Sequence, residues 1–196
     1  MLVETTKSIV TNVLVALYQP FNFAIVISIL FMFLYLFAQE HGWKNVFRKW
    51  INAFKMEKNF RKLFFFIFYT AMILFRTLLN RDMWANPVSD VIGVWGLHNE
   101  AGELTTEVIE NLALFVPFTI LMLWSFQEQI IGSKRTLWVI MVGSVKYTFL
   151  FSIFIEFLQL FLRLGTWQLS DIFYNTLGGM IGGLIYWFGY KITHRR

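Results

Sequence analysis

Long runs of apolar residues alternate with short polar segments along this chain. A helix of about twenty apolar residues is long enough to cross the hydrocarbon core of a bilayer. Five runs approach or exceed that length: 21–37, 63–79, 108–126, 136–164 and 171–190. The pattern therefore predicts an all-α fold, a polytopic transmembrane helical bundle of about five spans.

The segment 39–62 has a different pattern, with aromatic residues on one helical stripe and basic residues off it. Trp43, Phe47 and Trp50 lie on the stripe, whereas Lys44 and Arg48 do not. This pattern is typical of an interfacial amphipathic helix, which either attracts anionic lipids or simply anchors the topology. A short interfacial helix is also predicted over 1–19, followed by a helix that starts at Pro20.

These patterns divide the chain into three regions. Residues 1–62 hold the N-terminal segment, the first span and the basic amphipathic helix, 63–190 form the main transmembrane domain, and 191–196 form a basic tail. Of the 196 residues, 57% are hydrophobic and only 15% are charged, whereas soluble domains carry about 25% charged residues. The sequence thus indicates an integral membrane protein.

Composition also excludes several kinds of chemistry. The chain has no cysteine, so disulfides and thiolate ligands are excluded. Its histidines, His41, His98 and His194, are far apart and have no metal-type spacing, so neither a metal nor a cofactor is expected. The net charge of +5 is read as a topology signal, so membrane lipids are expected as partners and nucleic acid is not.

Lysine and arginine are concentrated in three segments, 39–62, 127–135 and 191–196. With five spans, these segments fall on the same side of the membrane, which the positive-inside rule assigns to the cytoplasm. The acidic loop 80–107 and the break at 165–170 then lie outside. We therefore predict an external N-terminus and a cytoplasmic C-terminus.

Polar residues recur at helical spacing in the last two runs. One face of the fourth run carries Ser152, Glu156, Gln159 and Arg163, and one face of the fifth carries Asp171, Asn175, Gly178 and Gly182. An acidic residue in the middle of a span costs roughly 2.5–3.5 kcal/mol, so these faces are expected to look inward. With Asn111 of the third run, they predict an outward-facing polar pocket formed by Asn111, Glu156, Gln159, Arg163, Asp171 and Asn175.

Other residues of these runs have a predicted role in packing or topology. The pairs Gly178 with Gly182 and Gly179 with Gly183 allow close approach of helix backbones, and Pro117 interrupts the third run. Two cations leave alternatives open: Arg76 either snorkels to the headgroups or pairs with a carboxylate of a neighbouring helix, and Lys146 either snorkels or pairs inside the bundle.

The ordered set of polar motifs resembles the VanZ-like family of bacterial membrane proteins. The matching residues are Asn111 with Phe115 and Pro117, then Glu156 with Gln159, then Asp171 with Asn175 and Gly178. The resemblance covers roughly residues 63–190. The sequence departs from the family pattern in three ways: Thr119 replaces a glycine, Gln168 and Ser170 stand where a second acidic residue often lies, and Arg163 is farther from the aspartate than the family arginine.

The resemblance implies residence in a bacterial cell membrane and a link to resistance against teicoplanin and related glycopeptides or lipoglycopeptides. The pocket would bind a cell-envelope ligand, such as a cell-wall precursor, or the antibiotic itself. Three alternatives stay open: an enzyme acting at the outer leaflet on a lipid-linked cell-wall precursor with Glu156 and Asp171 as an acid/base pair, a transporter or flippase, and a purely structural polar network. Whether the chain is an enzyme is left open, as is its oligomeric state.

Overall fold

The computed structural model describes residues 21–79, 86–98, 102, 105–132 and 135–193. In those ranges every extended regular element is a helix, so the all-α prediction is confirmed. The chain forms two compact units, Met1–Glu57 and Lys58–Arg196, which are described separately. The helix predicted over 1–19, the start at Pro20 and residues 194–196 of the predicted tail lie outside the described residues.

The first unit contains α1, Phe21–His41, and α2, Trp43–Met56. The first apolar run was predicted to end at residue 37, but α1 continues to His41, with the Gln39 amide donating to the Tyr35 hydroxyl at 2.7 Å. The helix ends where Gly42 takes a φ of 78°, a left-handed conformation that glycine adopts without steric cost. The turn at Gly42 separates α1 from α2.

Helix α2 has the amphipathic pattern expected of the basic segment. None of its residues is buried, and the Trp50 and Phe54 rings stack with centroids 5.4 Å apart. The prediction of one basic helix over 39–62 is wrong in its bounds, because Glu57 is extended and ends α2. The remaining basic residues, from Lys58, begin the next helix.

The second unit contains the remaining helices. They are α3, Lys58–Leu74, which continues as a π-helical turn, Phe75–Leu79; α4, Glu107–Ser125; α5, Gln127–Ile131; α6, Leu137–Leu162; and α7, Leu169–Thr193. The short helix α5 lies within the basic segment 127–135, for which the apolar pattern predicts no helix. It fits there because Phe126 and Gly132, which flank it, take non-helical conformations and separate it from α4 and α6.

Helix α7 packs most extensively against α4, and glycines make this possible. A Cβ atom on Gly178 would collide with the carbonyl oxygen of Leu112, and one on Gly182 would collide with that of Val116. Since both contacts advance together along the two helices, α4 and α7 run parallel. Only glycine lets the two backbones approach so closely.

The neighbouring glycines of α7 face α6 instead. A Cβ on Gly179 would collide with the Thr148 side chain, and one on Gly183 would collide with Ser144. The order of these contacts reverses, so α6 runs antiparallel to α7. Helix α7 therefore packs between α4 and α6 and contacts each of them closely through a pair of glycines.

Aromatic residues fill the core around Pro117, which α4 includes without ending. The Phe118 and Phe151 rings stack with centroids 4.6 Å apart and 8° between their planes, and Phe66 of α3 lies 5.6 Å from Phe118. One turn of α4 later than the buried Phe115, Thr119 shares a hydrogen bond of 3.0 Å with a threonine of α6. This core holds α3, α4 and α6 in fixed register.

Two of the described helices, α4 and α6, are long and apolar enough to cross a membrane by length and composition. They support a membrane protein, whereas the five-span topology stays a prediction. Lys146 lies on the exposed surface of α6 with its ammonium 5.5 Å from the Tyr147 ring. It is therefore not paired inside the helix bundle.

Candidate ligand-binding site

Four helix ends meet at one end of the second unit. The parallel helices α4 and α7 both begin there, and α6 and the π-helical turn both end there. The Asn111 amide donates to Asp171 Oδ1 at 2.6 Å, which links α4 to α7. The Gln159 amide donates to the backbone oxygen of Thr77 at 2.9 Å, which links α6 to the π-helical turn. Polar side chains therefore connect all four elements at this end.

Glu156 lies at the centre of this polar cluster, with only 1% of its surface exposed. Its Oε2 accepts a hydrogen bond of 3.0 Å from the backbone N–H of Gln168. That amide belongs to the connection between α6 and α7, three residues before Asp171. The connection thus folds back over the end of α6 and supplies a fixed donor to a buried carboxylate.

A second loop covers the connection from outside. The Asp90 carboxylate accepts from the Gln168 side-chain amide at 2.8 Å and from the Gly93 backbone N–H at 3.0 Å. The backbone N–H of Trp167 donates to the Pro87 oxygen at 2.8 Å, and that of Leu169 donates to Val91 at 2.9 Å. The loop 87–93 is therefore fastened to the connection along its length.

Several buried oxygen atoms of the cluster accept no hydrogen bond in the part of the chain that the structure describes. They are Gln159 Oε1, Gln168 Oε1 and Asn175 Oδ1, and each of these residues is at most 6% exposed. The Asn175 amide nitrogen donates to Ser152 Oγ at 2.9 Å. A buried oxygen without a donor costs free energy, so the cluster is rich in acceptors and suited to a group that donates hydrogen bonds.

A cleft of about 300 Å³ opens beside this cluster. Its lining residues are Arg76, Thr77, Thr105, Thr106, Glu107, Glu110 and Asn111. Arg76 forms an ion pair with Glu110, and both side chains are about half exposed. The Thr106 hydroxyl donates to the other oxygen of the Glu110 carboxylate at 2.6 Å. The cleft therefore presents a fixed cation and a fixed anion at the protein surface.

The cleft and the buried cluster are physically continuous. Asn111 lines the cleft and donates to Asp171, and Thr77 lines the cleft and accepts from Gln159. A ligand in the cleft would therefore touch residues bonded directly to the cluster. The alternative in which Arg76 pairs with a neighbouring carboxylate is confirmed by its contact with Glu110.

The structure brings all six predicted pocket residues to this end, but Arg163 does not join the buried cluster. Helix α6 ends at Leu162, and Arg163 takes a left-handed conformation with φ 55°. Its side chain is exposed and no longer follows the face that carries Glu156 and Gln159. The expectation that Arg163 continues that face is wrong, because helical spacing applies only within the helix.

Sequence reasoning missed three residues that complete the site: Asp90, Gln168 and Glu110 as the partner of Arg76. Asp90 has a recognisable signal, since aspartate is favoured at the first position of a type I turn and glycine at the fourth. Gln168 has no such signal, because its contribution to Glu156 comes from the backbone. In the described ranges, no three acidic or histidine side chains are grouped as a metal site needs.

The opposite end of the second unit is basic. Lys62 near the start of α3 lies 5.4 Å from the Trp124 ring, Arg135 donates to the Tyr190 hydroxyl at 3.1 Å, and Lys191 follows at the end of α7. Arginine and lysine side chains at this end sit beside aromatic rings, an arrangement typical of a membrane interface. The charge of the unit is thus unevenly distributed between its two ends.

Fold and site together define an all-helical protein with apolar helices of membrane-spanning length and a polar site at one helix end. The profile of the VanZ/LLP1 family matches residues 3–190. The chain therefore belongs to the VanZ/LLP1 family, and the match begins well before residue 63, where the motif-based resemblance starts. No curated protein and no solved structure matches the chain.

Proposed function

We propose that this protein is a binding protein of the bacterial cell membrane whose polar site receives a cell-envelope ligand or a glycopeptide antibiotic from outside the cell. The observation that carries the proposal is the continuity of the cleft with the buried cluster. Arg76 and Glu110 are exposed in the cleft, and Asn111 couples it to Asp171. A site with this architecture can bind a ligand through the charged residues of the cleft, while the buried polar cluster holds those residues in position.

The charges of the cleft suit a ligand with both a carboxylate and an amine. Arg76 offers a planar guanidinium that can bind a carboxylate with two hydrogen bonds, and Glu110 offers an acceptor for an ammonium group. The unpartnered oxygens of Gln159 and Gln168 favour further donors. Peptides of cell-wall precursors and glycopeptide antibiotics both carry these groups, which agrees with the role that membership of the family implies.

The distribution of charge supports an outward orientation of the site. Lys62, Arg135 and Lys191 lie at the end of the second unit away from the cleft. The positive-inside rule places such residues in the cytoplasm. The proposed topology therefore has the C-terminus inside and the site outside. In that position the site meets ligands that do not cross the membrane.

The decisive experiment is teicoplanin susceptibility of a sensitive Gram-positive host that carries the wild-type gene or a variant. The variants are Arg76→Gln in the cleft, Asp171→Asn and Glu156→Gln in the cluster, and Lys191→Gln as a control at the basic end. Membrane levels are matched by blotting. We expect the wild type and Lys191→Gln to raise tolerance and the three site variants to lose it.

Two outcomes would overturn the proposal. If the wild type leaves teicoplanin susceptibility unchanged, the antibiotic link fails for this member. If the wild type protects and the site variants protect equally, the polar site is not the working site.

An outer-leaflet enzyme is the second candidate because Glu156 is a fully buried carboxylate. It predicts that Glu156→Gln abolishes tolerance while the purified protein still binds the antibiotic.

A purely structural network makes a different prediction for the same position. In Glu156→Gln an oxygen still accepts from the Gln168 N–H, whereas Glu156→Leu leaves that buried N–H without a partner, at a cost of about 1–3 kcal/mol. A binding site predicts that the Gln variant is nearly as stable as the wild type and that the Leu variant is not. Equal loss of stability in both variants favours the structural network.

A further inference from the structure

An apolar groove runs along the outer surface of the second unit, between α6 and α7. It has a volume of about 700 Å³ and is lined on α6 by Trp138, Met141, Val142 and Val145 and on α7 by Met180 and Leu184. The groove lies apart from the polar site, because it follows the part of α6 that begins at the basic end. Its walls offer contact to a hydrocarbon chain and almost no hydrogen-bonding groups.

Among the described residues that line this groove, Lys146 is the one that carries a charge. It is exposed, and its ammonium lies 5.5 Å from the Tyr147 ring. A lysine on an apolar membrane-facing surface costs roughly 2.5–3.5 kcal/mol at mid-bilayer when it has no compensation. The groove therefore combines a surface for an acyl chain with a cation that needs an anion.

The position of Lys146 along α6 is consistent with a lipid headgroup. Lys146 follows Leu137, the first residue of α6, by nine residues, or about 13.5 Å at 1.5 Å per residue. Side chains in a helix tend to lean toward its N-terminus, which here is the basic end, so a lysine at this position can extend its ammonium toward that surface. An anionic lipid whose phosphate meets the ammonium can place one acyl chain on the deeper side, against Val145 and Met180.

We propose that this groove is a binding site for one anionic phospholipid, whose acyl chain packs along α6 and α7 and whose phosphate pairs with Lys146. The charge of Lys146 selects the anionic headgroup, and the apolar walls hold the chain. The site is independent of the polar cleft, and it distinguishes one lipid from the many that merely surround the protein.

The test is lipid titration of the full-length protein in detergent, with bound lipid counted by native mass spectrometry. Phosphatidylglycerol is compared with phosphatidylcholine of the same acyl chains, for the wild type, Lys146→Gln, Lys146→Arg and Lys62→Gln. Lys62→Gln is the matched control, because Lys62 also lies over an aromatic ring but outside the groove. Thermal unfolding verifies that each variant is folded.

We expect the wild type to bind its first phosphatidylglycerol about five-fold more tightly than phosphatidylcholine, as one partly exposed ion pair provides. Lys146→Gln should lose this preference, whereas Lys146→Arg and Lys62→Gln should keep it. Val142→Trp, which fills the groove and leaves the charge, should weaken both lipids equally. Retention of the preference by Lys146→Gln, or its equal loss in Lys62→Gln, would overturn the proposal, and unchanged lipid binding by Val142→Trp would exclude the groove as the seat of the acyl chain.

Discussion

Replacement of Gly178 by alanine tests the packing on which the polar site depends. A Cβ at this position collides with the backbone carbonyl of Leu112 in α4, and a backbone atom cannot swing aside as a side chain can. Helices α4 and α7 must therefore separate, and forced overpacking of this kind typically costs about 1–3 kcal/mol. Against this, alanine is favoured over glycine within a helix by about 1 kcal/mol.

The matched control is Gly189→Ala in the same helix, where an added Cβ meets no atom within 4 Å. The helix-propensity gain is shared by both variants, so the difference between them isolates the steric cost. We expect Gly178→Ala to have a free energy of unfolding about 1–3 kcal/mol below that of Gly189→Ala. Gly189→Ala should equal or exceed the wild type.

The assay is reversible unfolding in detergent or bicelles, followed by tryptophan fluorescence or by steric trapping. Teicoplanin susceptibility of cells carrying the same variants provides the functional readout, since separation of α4 from α7 should weaken the bond between Asn111 and Asp171. Equal stability of Gly178→Ala and Gly189→Ala would refute the close approach of α4 and α7 at this point.

Two further predictions concern the core and the covering loop. Phe118→Ala, which removes a ring stacked on Phe151, should lower the free energy of unfolding by about 3–5 kcal/mol. The control Phe161→Ala, on the exposed surface, should change it by less than about 0.5 kcal/mol. Chemical denaturation compares the two variants, and equal losses of stability would contradict the aromatic core. Gly93→Ala forces a Cβ into a left-handed turn against a serine of α7, so hydrogen exchange of the Trp167 amide should accelerate about ten-fold. Gly96→Ala, which meets no atom within 4 Å, should leave that exchange rate unchanged, and slow exchange in both variants would show that the loop does not depend on Gly93.

The helices of the second unit were predictable because apolar runs and helix boundaries obey local rules. The third and fourth runs, predicted over 108–126 and 136–164, correspond to Glu107–Ser125 and Leu137–Leu162. Thr136 begins α6 with its hydroxyl accepting from Val139, as capping preferences indicate. The short helix α5 was missed, since five residues carry too little periodicity to be recognised.

The position of Glu156 in an apolar run was enough to predict a buried polar site, whereas the residues that surround its carboxylate could be predicted only in part. Glu156, Gln159 and Ser152 share a face of α6 because they lie within one regular helix. Asp90 and Gln168 join them through a loop and a connection whose shape depends on backbone contacts. Such contacts join residues distant in sequence and leave no periodic pattern.

The arginine of the site illustrates the limit of helical spacing. Helical spacing predicts Arg163 on the face of Glu156, two turns farther along, but α6 ends one residue earlier and Arg163 is exposed. The cation near the cluster is instead Arg76, which reaches Glu110 from beyond the end of α3. The sequence raised that pairing as one alternative, and only the three-dimensional arrangement selects it.

The glycines and the polar residues of α7 act as one geometric unit. Asp171 precedes Gly178 by seven residues, which is about two helical turns, so both lie on the face that meets α4. Close packing at Gly178 brings the start of α7 near enough to α4 for Asn111 to reach Asp171 at 2.6 Å. A packing role and a site role are therefore not competing explanations for this stretch, because the approach of the backbones fixes the distance between the polar groups. Variants of the glycines should consequently disturb the site without touching any of its side chains.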